Sequence, residues 1–387
     1  MAELTADEVN KLIYGYLRSE GLELTARALL HETNTSTEEP DLDLVKLLLK
    51  GLESVKTEQA ITSSTQLLSI DFGLQQLNSL PGGRLVKICG DNVVICGQEL
   101  VCAETSALDK VKKLPYARIN DVAFMGRNQV FVSQSNGPIL VLDLSTDPIT
   151  LFPPTTHTAN MIKMVPFTDR LLAINGKHFC VFNAQGDVLC KETQLENAEA
   201  SDISYAEWVD QDTVALAINN KVHIYKYSEG IHKVIEQHLL PVSYLTVSAG
   251  GSVVYSGSEE GLICAIDSTG QQQRPFKAHA GVITFLGTYA NLLVSASNDG
   301  KVKVWCDASL LFEFDVEAPI YTCTLNGSSL VVVSDRVQVV QLKESGAYLI
   351  ASLTLPDSRF NVAAVGNKVF LTNESETRVF KIIQSGN

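Results

Sequence analysis

VITFLGTYANLLVSASNDGKVKVWCD, residues 282–307, is the stretch on which the fold turns. It holds three short runs rich in Val, Leu, Ile and Phe, divided by Ala-Asn and by Asn-Asp-Gly. Those dividing residues enter tight turns at low steric cost, so the stretch reads as three consecutive antiparallel strands. The same layout returns in VSYLTVSAGGSVVYSGSEEGLICAID (242–267) and in INDVAFMGRNQVFVSQSNGPILVLDL (119–144). Each has a strand, a turn, a second strand ending in a Ser- or Gly-containing run, a tight turn and a third strand.

Extending the pattern places third-strand anchors at Cys102, Leu142, Phe182, Tyr225, Ile266, Trp305, Val340 and Phe380. Successive gaps are 40, 40, 43, 41, 39, 35 and 40 residues. A period near 40, with room for four short strands per unit, predicts an all-β propeller of eight blades over residues 83–387. Seven blades with a detached first unit is the competing count. The last unit reaches its third strand in TRVFKII, and its fourth must come from elsewhere if the ring is to close without an open edge. QLLSIDF, residues 66–72 within a connecting segment 61–82, has strand-like composition and is predicted to supply it.

The start of the chain has another texture. Thr5 and Glu8 make a capping box, after which Val9, Leu12, Ile13, Tyr16 and Leu17 recur at helical spacing. Gly21 ends that helix, and a second short one carries Leu24, Ala26, Leu29 and Leu30. A third, at roughly 41–59, has Leu42, Val45, Leu48, Leu49, Leu52 and Val55 on one stripe. Three short helices within residues 1–60 cannot bury these stripes alone, which predicts a cover from a second copy.

Composition narrows the function classes. The formal net charge is −14 with 44 acidic against 30 basic residues, which disfavours a polyanionic backbone or an anionic bilayer as principal partner. The local basic run Lys110–Lys113 reads as a solvated turn. No apolar run is long enough to span a bilayer, and the first 25 residues have no apolar signal core, so an intracellular protein is expected. Eight cysteines lie scattered in strand-like runs without a CxxC, which predicts buried free thiols and no metal centre. The seven histidines show no metal-ligand spacing. No Gly-x-Ser-x-Gly elbow, HExxH or phosphate-binding loop is present, and no cofactor is expected.

Two family resemblances follow from particular residues. Ala278-His279 with SASNDGKVKVWCD resembles a WD repeat, and the resemblance implies a buried polar chain through His279, Ser295, Asp299 and Trp305. Other units depart from the pattern, ending in Leu142-Asp143, Phe182-Asn183, Tyr225-Lys226, Ile266-Asp267, Val340-Gln341 and Phe380-Lys381, although Glu260 replaces the Asp in one. At the other end Leu12, Ile13, Tyr16, Leu17, Gly21, Thr25, Ala26, Leu29 and Glu32 resemble the LisH motif, with Leu29 where the motif usually has Phe. That resemblance implies a helical dimerisation module whose contacts are Leu12, Ile13, Tyr16, Leu17, Ala26 and Leu29, in a dimer or a tetramer. ADEVNKLIYGYL and LLLKGLESVKTE also look like the N-terminal region of transducin-beta-like corepressor subunits, which are eight-bladed scaffolds. That likeness leans the expected location towards the nucleus over the cytoplasm.

The expected function is therefore a non-enzymatic scaffold that pairs through its N-terminus and recruits proteins or peptides to a larger complex on its propeller. Tyr205 in ISYAEW and Tyr244 in VSYLTV occupy equal places in successive units, and Arg359 and Phe360 enter the last inner strand. All four are candidate partner contacts, with packing between blades as the other role of the tyrosines. Competing classes are a ubiquitin-ligase substrate receptor, disfavoured because no unit ends in Trp-Asp-x-Arg, a dynein-type regulator, and a propeller enzyme.

Overall fold

A computed structural model describes residues 68–69, 72–116, 118–135, 137–146, 149–152, 163–194, 201–236, 238–248, 251–267, 271, 275–306, 308–343, 346–354 and 360–384. The chain divides into two units, Met1–Ser64 and Thr65–Asn387, and the described residues all lie in the second. Among them there is no helix, and the strands form eight sheets. Six sheets are four-stranded antiparallel meanders taken in order along the chain: 85–114, 119–152, 163–194, 203–236, 242–277 and 283–315. These are blades 1 to 6. Blade 7 covers 322–354 and blade 8 covers 361–384. The competing count of seven is excluded, because the first unit is a complete blade.

Local sequence explains the meander. The second strands are nearly continuous apolar runs, such as Thr213–Ile218, in which every residue is buried. They lie in mid-blade with a neighbouring blade against each face, so alternation disappears there. Outer strands show the opposite pattern, as in Ile231–Glu236, where only Ile235 is fully buried. All eight anchors fall on third strands.

The core consists of eight apolar clusters, one at each junction between neighbouring blades. The junction of blades 8 and 1 is built like the rest: Leu80, Val86, Val93, Ile95, Val101, Phe370 and Val379 pack together. The inner strand of blade 1, Leu85–Cys89, lies beside that of blade 8, Asn361–Val365, which completes the circle.

Ring closure corrects one expectation. The outer strand of blade 8 is Phe72–Pro81, antiparallel to Glu376–Gln384 with Pro81 opposite Glu376 and Phe72 opposite Gln384. It is not 66–72. Leu68–Ser69 instead runs parallel to Gly346–Thr354 and gives blade 7 a fifth strand. The reason is exposure. An outer strand has water on one side, so FGLQQLNSLP suits that place although its Gln, Asn and Gly residues read poorly as strand. Leaving the closing strand, Gly82 and Gly83 thread between blades 8 and 1. A Cβ at Gly82 would stand 2.3 Å from the Glu376 nitrogen, and one at Gly83 2.6 Å from the Cys96 carbonyl oxygen. Thr372 and Thr377, both fully buried, fasten the passage: their hydroxyls donate to the Gly83 and Pro81 carbonyls at 3.0 Å each.

Candidate functional site

His279, Ser295, Asp299 and Trp305 come together in blade 6. His279 Nε2 lies 2.8 Å from Ser295 Oγ, and His279 Nδ1 lies 3.2 Å from Asp299 Oδ2. Trp305 Nε1–H donates to the same Ser295 Oγ at 2.8 Å. One assignment satisfies every group: Nδ1–H donates to the carboxylate, and Nε2 accepts the serine proton. Burial pushes the His279 imidazole down to about 4, with Asp299 pulling the other way. Burial acts to raise the Asp299 carboxyl, but the Ala280 N–H, the His279 ring and the Lys301 N–H outweigh it and hold the carboxyl below its ordinary range.

A second chain of the same kind, of which the sequence showed only Glu260, sits in blade 5. His238 Nε2 lies 2.8 Å from Ser256 Oγ, while His238 Nδ1 lies 3.6 Å from Glu260 Oε1. Glu260 Oε1 also accepts the Leu239 N–H at 3.0 Å, as Asp299 Oδ2 accepts the Ala280 N–H at 2.9 Å. Ile266 stands where blade 6 has Trp305, so no indole joins this chain; the third strand contributes the Cys264 thiol instead, hydrogen-bonded with Ser256. The signal was present: His238 precedes Glu260 by a spacing close to that of His279 and Asp299. Leu-Leu-Pro after the histidine hid His238.

The connectivity Ser–His–Asp is also that of a hydrolase triad, so accessibility decides its role. Ser295 is 0% exposed, His279 is 2% exposed, and the Ser295 oxygen already holds the Trp305 indole. No substrate carbonyl can approach that oxygen. The arrangement joins the loop entering blade 6 to its second and third strands.

The inner strands bring a different set of residues to the axis. Asp121 of blade 2 is buried, and its Oδ2 accepts the Met164 N–H of blade 3 at 2.7 Å. Burial raises its carboxyl, against Lys87, Lys163 and two backbone N–H groups. In blade 3, Lys163 Nζ sits 3.6 Å from the ring centroid of Tyr205 in blade 4, a cation–π contact. The Tyr205 and Tyr244 rings meet at a tilt of 36° with centroids 4.4 Å apart, and Tyr244 meets Phe285 of blade 6 edge-on at 5.5 Å. The two tyrosines are each half-buried and packed against the next blade.

Phe360 is not an exposed contact. It is 4% exposed inside the cluster between blades 7 and 8, with the Arg378 guanidinium 5.8 Å from its ring centroid. An aromatic side chain at a strand entrance fills the gap between blades more readily than it faces water. Arg359 lies outside the described residues, as do Leu12, Ile13, Tyr16, Leu17, Ala26 and Leu29. Among the described residues, no group of three or more His, Cys, Asp or Glu is placed to hold a metal ion.

Comparison with known proteins agrees with this geometry. The LisH family profile matches residues 7–33, and that of the WD domain, G-beta repeat, matches residues 270–306. No curated protein sequence matches the chain. Among solved structures, the C-terminal WD40 domain of Sif2 is 18% identical with a TM-score of 0.66, covering 81% of this chain and 99% of that one. The computationally designed Ika8 protein is 16% identical with a TM-score of 0.65, covering 82% and 100%. BamB from Moraxella catarrhalis is 14% identical with a TM-score of 0.60, covering 80% and 97%. At such identities the likeness is one of fold.

Proposed function

We propose that this chain, an eight-bladed WD-repeat-type propeller carrying a LisH dimerisation motif, is a non-enzymatic scaffold that self-associates through residues 7–33 and holds other proteins or peptides on its propeller. One observation carries the reading: the serine–histidine–carboxylate sets of blades 5 and 6 are buried fastenings, so the propeller's most reactive-looking residues serve its rigidity. A rigid ring presenting loops from eight blades is a surface for recognition. Propellers of the WD40 kind are typically interaction scaffolds, and LisH is a dimerisation motif. The likeness of the N-terminal stretches to corepressor subunits makes a chromatin-bound assembly, and hence the nucleus, the first place to look.

Light scattering of the purified full-length protein tests the self-association. At micromolar concentration the wild type is expected at twice the chain mass or more, and Tyr16→Asp with Leu17→Asp at the mass of one chain. A monomeric wild type would sink the proposal. Affinity purification then compares the full chain with residues 61–387. Partners held by the propeller should remain with the shorter protein, at reduced yield where two propellers bind together.

A further inference from the structure

On the face made by the loops that enter the blades, large apolar side chains are exposed at only three described positions: Leu239 at 85%, Leu240 at 47% and Tyr321 at 53%. The other exposed ones, such as Val234 and Leu310, lie on outer strands at the rim. The loop that carries the two leucines is fastened at every turn. His238 is buried, and its carbonyl accepts from Asn220 Nδ2 at 2.9 Å. The Leu239 N–H donates to Glu260 Oε1 at 3.0 Å, and the Pro241 carbonyl accepts the Glu259 N–H at 3.0 Å. The Val242 N–H donates to the Asn219 carbonyl at 2.7 Å, and the ring of Pro241 fixes its own φ. The backbone is thus held in one shape that leaves both leucines in water.

Blade 6 shows that this fastening does not need a leucine. There Ala280 takes the place of Leu239 after a buried histidine, and its N–H is held by Asp299 in the same way at 2.9 Å. A methyl group meets the structural need, so the larger side chain of Leu239 has no internal role. Single exposed apolar residues are ordinary on a surface, but two adjacent ones on a preorganised loop fit an anchor for a partner.

The anchors continue round the same face. A Cβ at Gly261 would stand 2.6 Å from the Gly281 carbonyl oxygen, and one at Gly300 3.2 Å from that of Ala318, so the loops of blades 5, 6 and 7 touch in turn. Blade 6 contributes the small residues Ala280 and Gly281, low ground between the leucines and Tyr321. Apolar anchors spaced along an arc suit an extended chain. Glu259 and Glu317 are exposed on these loops and make no ion pair among the described residues, while the Lys277 ammonium is turned to the Glu260 carbonyl. That excess of negative charge selects a basic partner. A second copy is disfavoured, because it would bring the same carboxylates and a further net charge of −14.

We propose that the loops entering blades 5 to 7 bind an extended peptide segment of a partner that combines apolar and basic side chains, with Leu239 and Leu240 as its apolar anchor and Glu259 as its counter-charge. The inference rests on the reading of the propeller as a recognition module, and it names the loops that take the partner and the partner's chemistry.

Selection from a phage-displayed library of fully randomised octapeptides, on the full-length protein, tests this. The wild type should enrich peptides that join Lys or Arg to Leu, Ile or Phe and that lack Asp and Glu. A synthetic copy of the most enriched peptide is then titrated by calorimetry. It should bind Leu239→Ala with Leu240→Ala at least about tenfold more weakly than wild type. Glu259→Lys, which leaves the leucines in place, should weaken it at least about threefold, and added salt should weaken it in the wild type. The melting temperature of the double variant should stay within about 2 °C of wild type, which separates a lost contact from a lost fold. No enrichment, enrichment of acidic peptides, or unchanged affinity in either variant would each overturn the assignment. Self-association through residues 7–33 does not depend on these loops. Peptides indifferent to both variants would remove this site and leave the scaffold reading standing.

Discussion

His279 shows how one side chain can be both a fastening and a liability. It is buried neutral, so the unfolded chain takes up a proton near pH 6.5 while the folded chain resists until about 4. Stability is therefore full above pH 6.5 and is lost progressively as pH falls to about 4, by about 3 kcal/mol for this residue alone. His238 shifts in the same direction, again by burial first, and adds to the loss. Urea unfolding from pH 7.5 to 4.5 checks this: His279→Gln should flatten the slope while lowering the neutral-pH stability by about 1–3 kcal/mol. The cysteines give a second test at this scale. Cys96, Cys102, Cys180, Cys264 and Cys323 are buried, and burial raises the thiols of Cys102 and Cys264 to about 12. A thiol reagent at pH 8 should label the half-buried Cys89, Cys190 and Cys306 first, and the buried five only after denaturation, as read by mass spectrometry. Legibility at this scale was uneven. Trp305 and Asp299 announced the blade 6 chain, whereas Asp121 and Lys163 carry no local pattern. Their roles come from neighbours on other blades.

The closing strand is the element on which the ring depends. Phe72–Pro81 pairs with the last strand of blade 8, and Leu80 enters the core at the junction with blade 1. Removing residues 1–60 should leave the melting temperature unchanged. Removing 1–81 should lower it by more than about 5 °C, because blade 8 loses its outer strand. Equal melting temperatures for the two truncations would refute the assignment. Gly82→Val should cost about 3 kcal/mol in urea unfolding, since the added carbons meet backbone that cannot step aside. The strands themselves were legible because period-two and continuous apolar runs are local properties. The closing strand was misplaced because its half-solvated composition resembles a turn, while the more apolar QLLSIDF beside it resembles a strand. What tells them apart is the far end of the chain, some three hundred residues away.

At the scale of the molecule, eight junction clusters repeat one packing solution around a circle, so no blade has an uncovered face. Such a ring has no need of residues 1–60. Residues 61–387 alone should therefore be folded and monomeric, with the full chain at least dimeric at the same concentration; sedimentation velocity compares them directly. If the shorter protein also dimerises, the propeller itself is the interface. The sequence by itself determined the repeat and the match of residues 7–33 to a dimerisation motif, because period and motif are written in neighbouring residues. Tertiary structure alone decided between seven blades and eight, which run closes the ring, that Tyr205 and Tyr244 pack ring against ring, and that Phe360 is core. Each of these depends on side chains of different blades meeting in space, and a chain read in one dimension does not contain those distances.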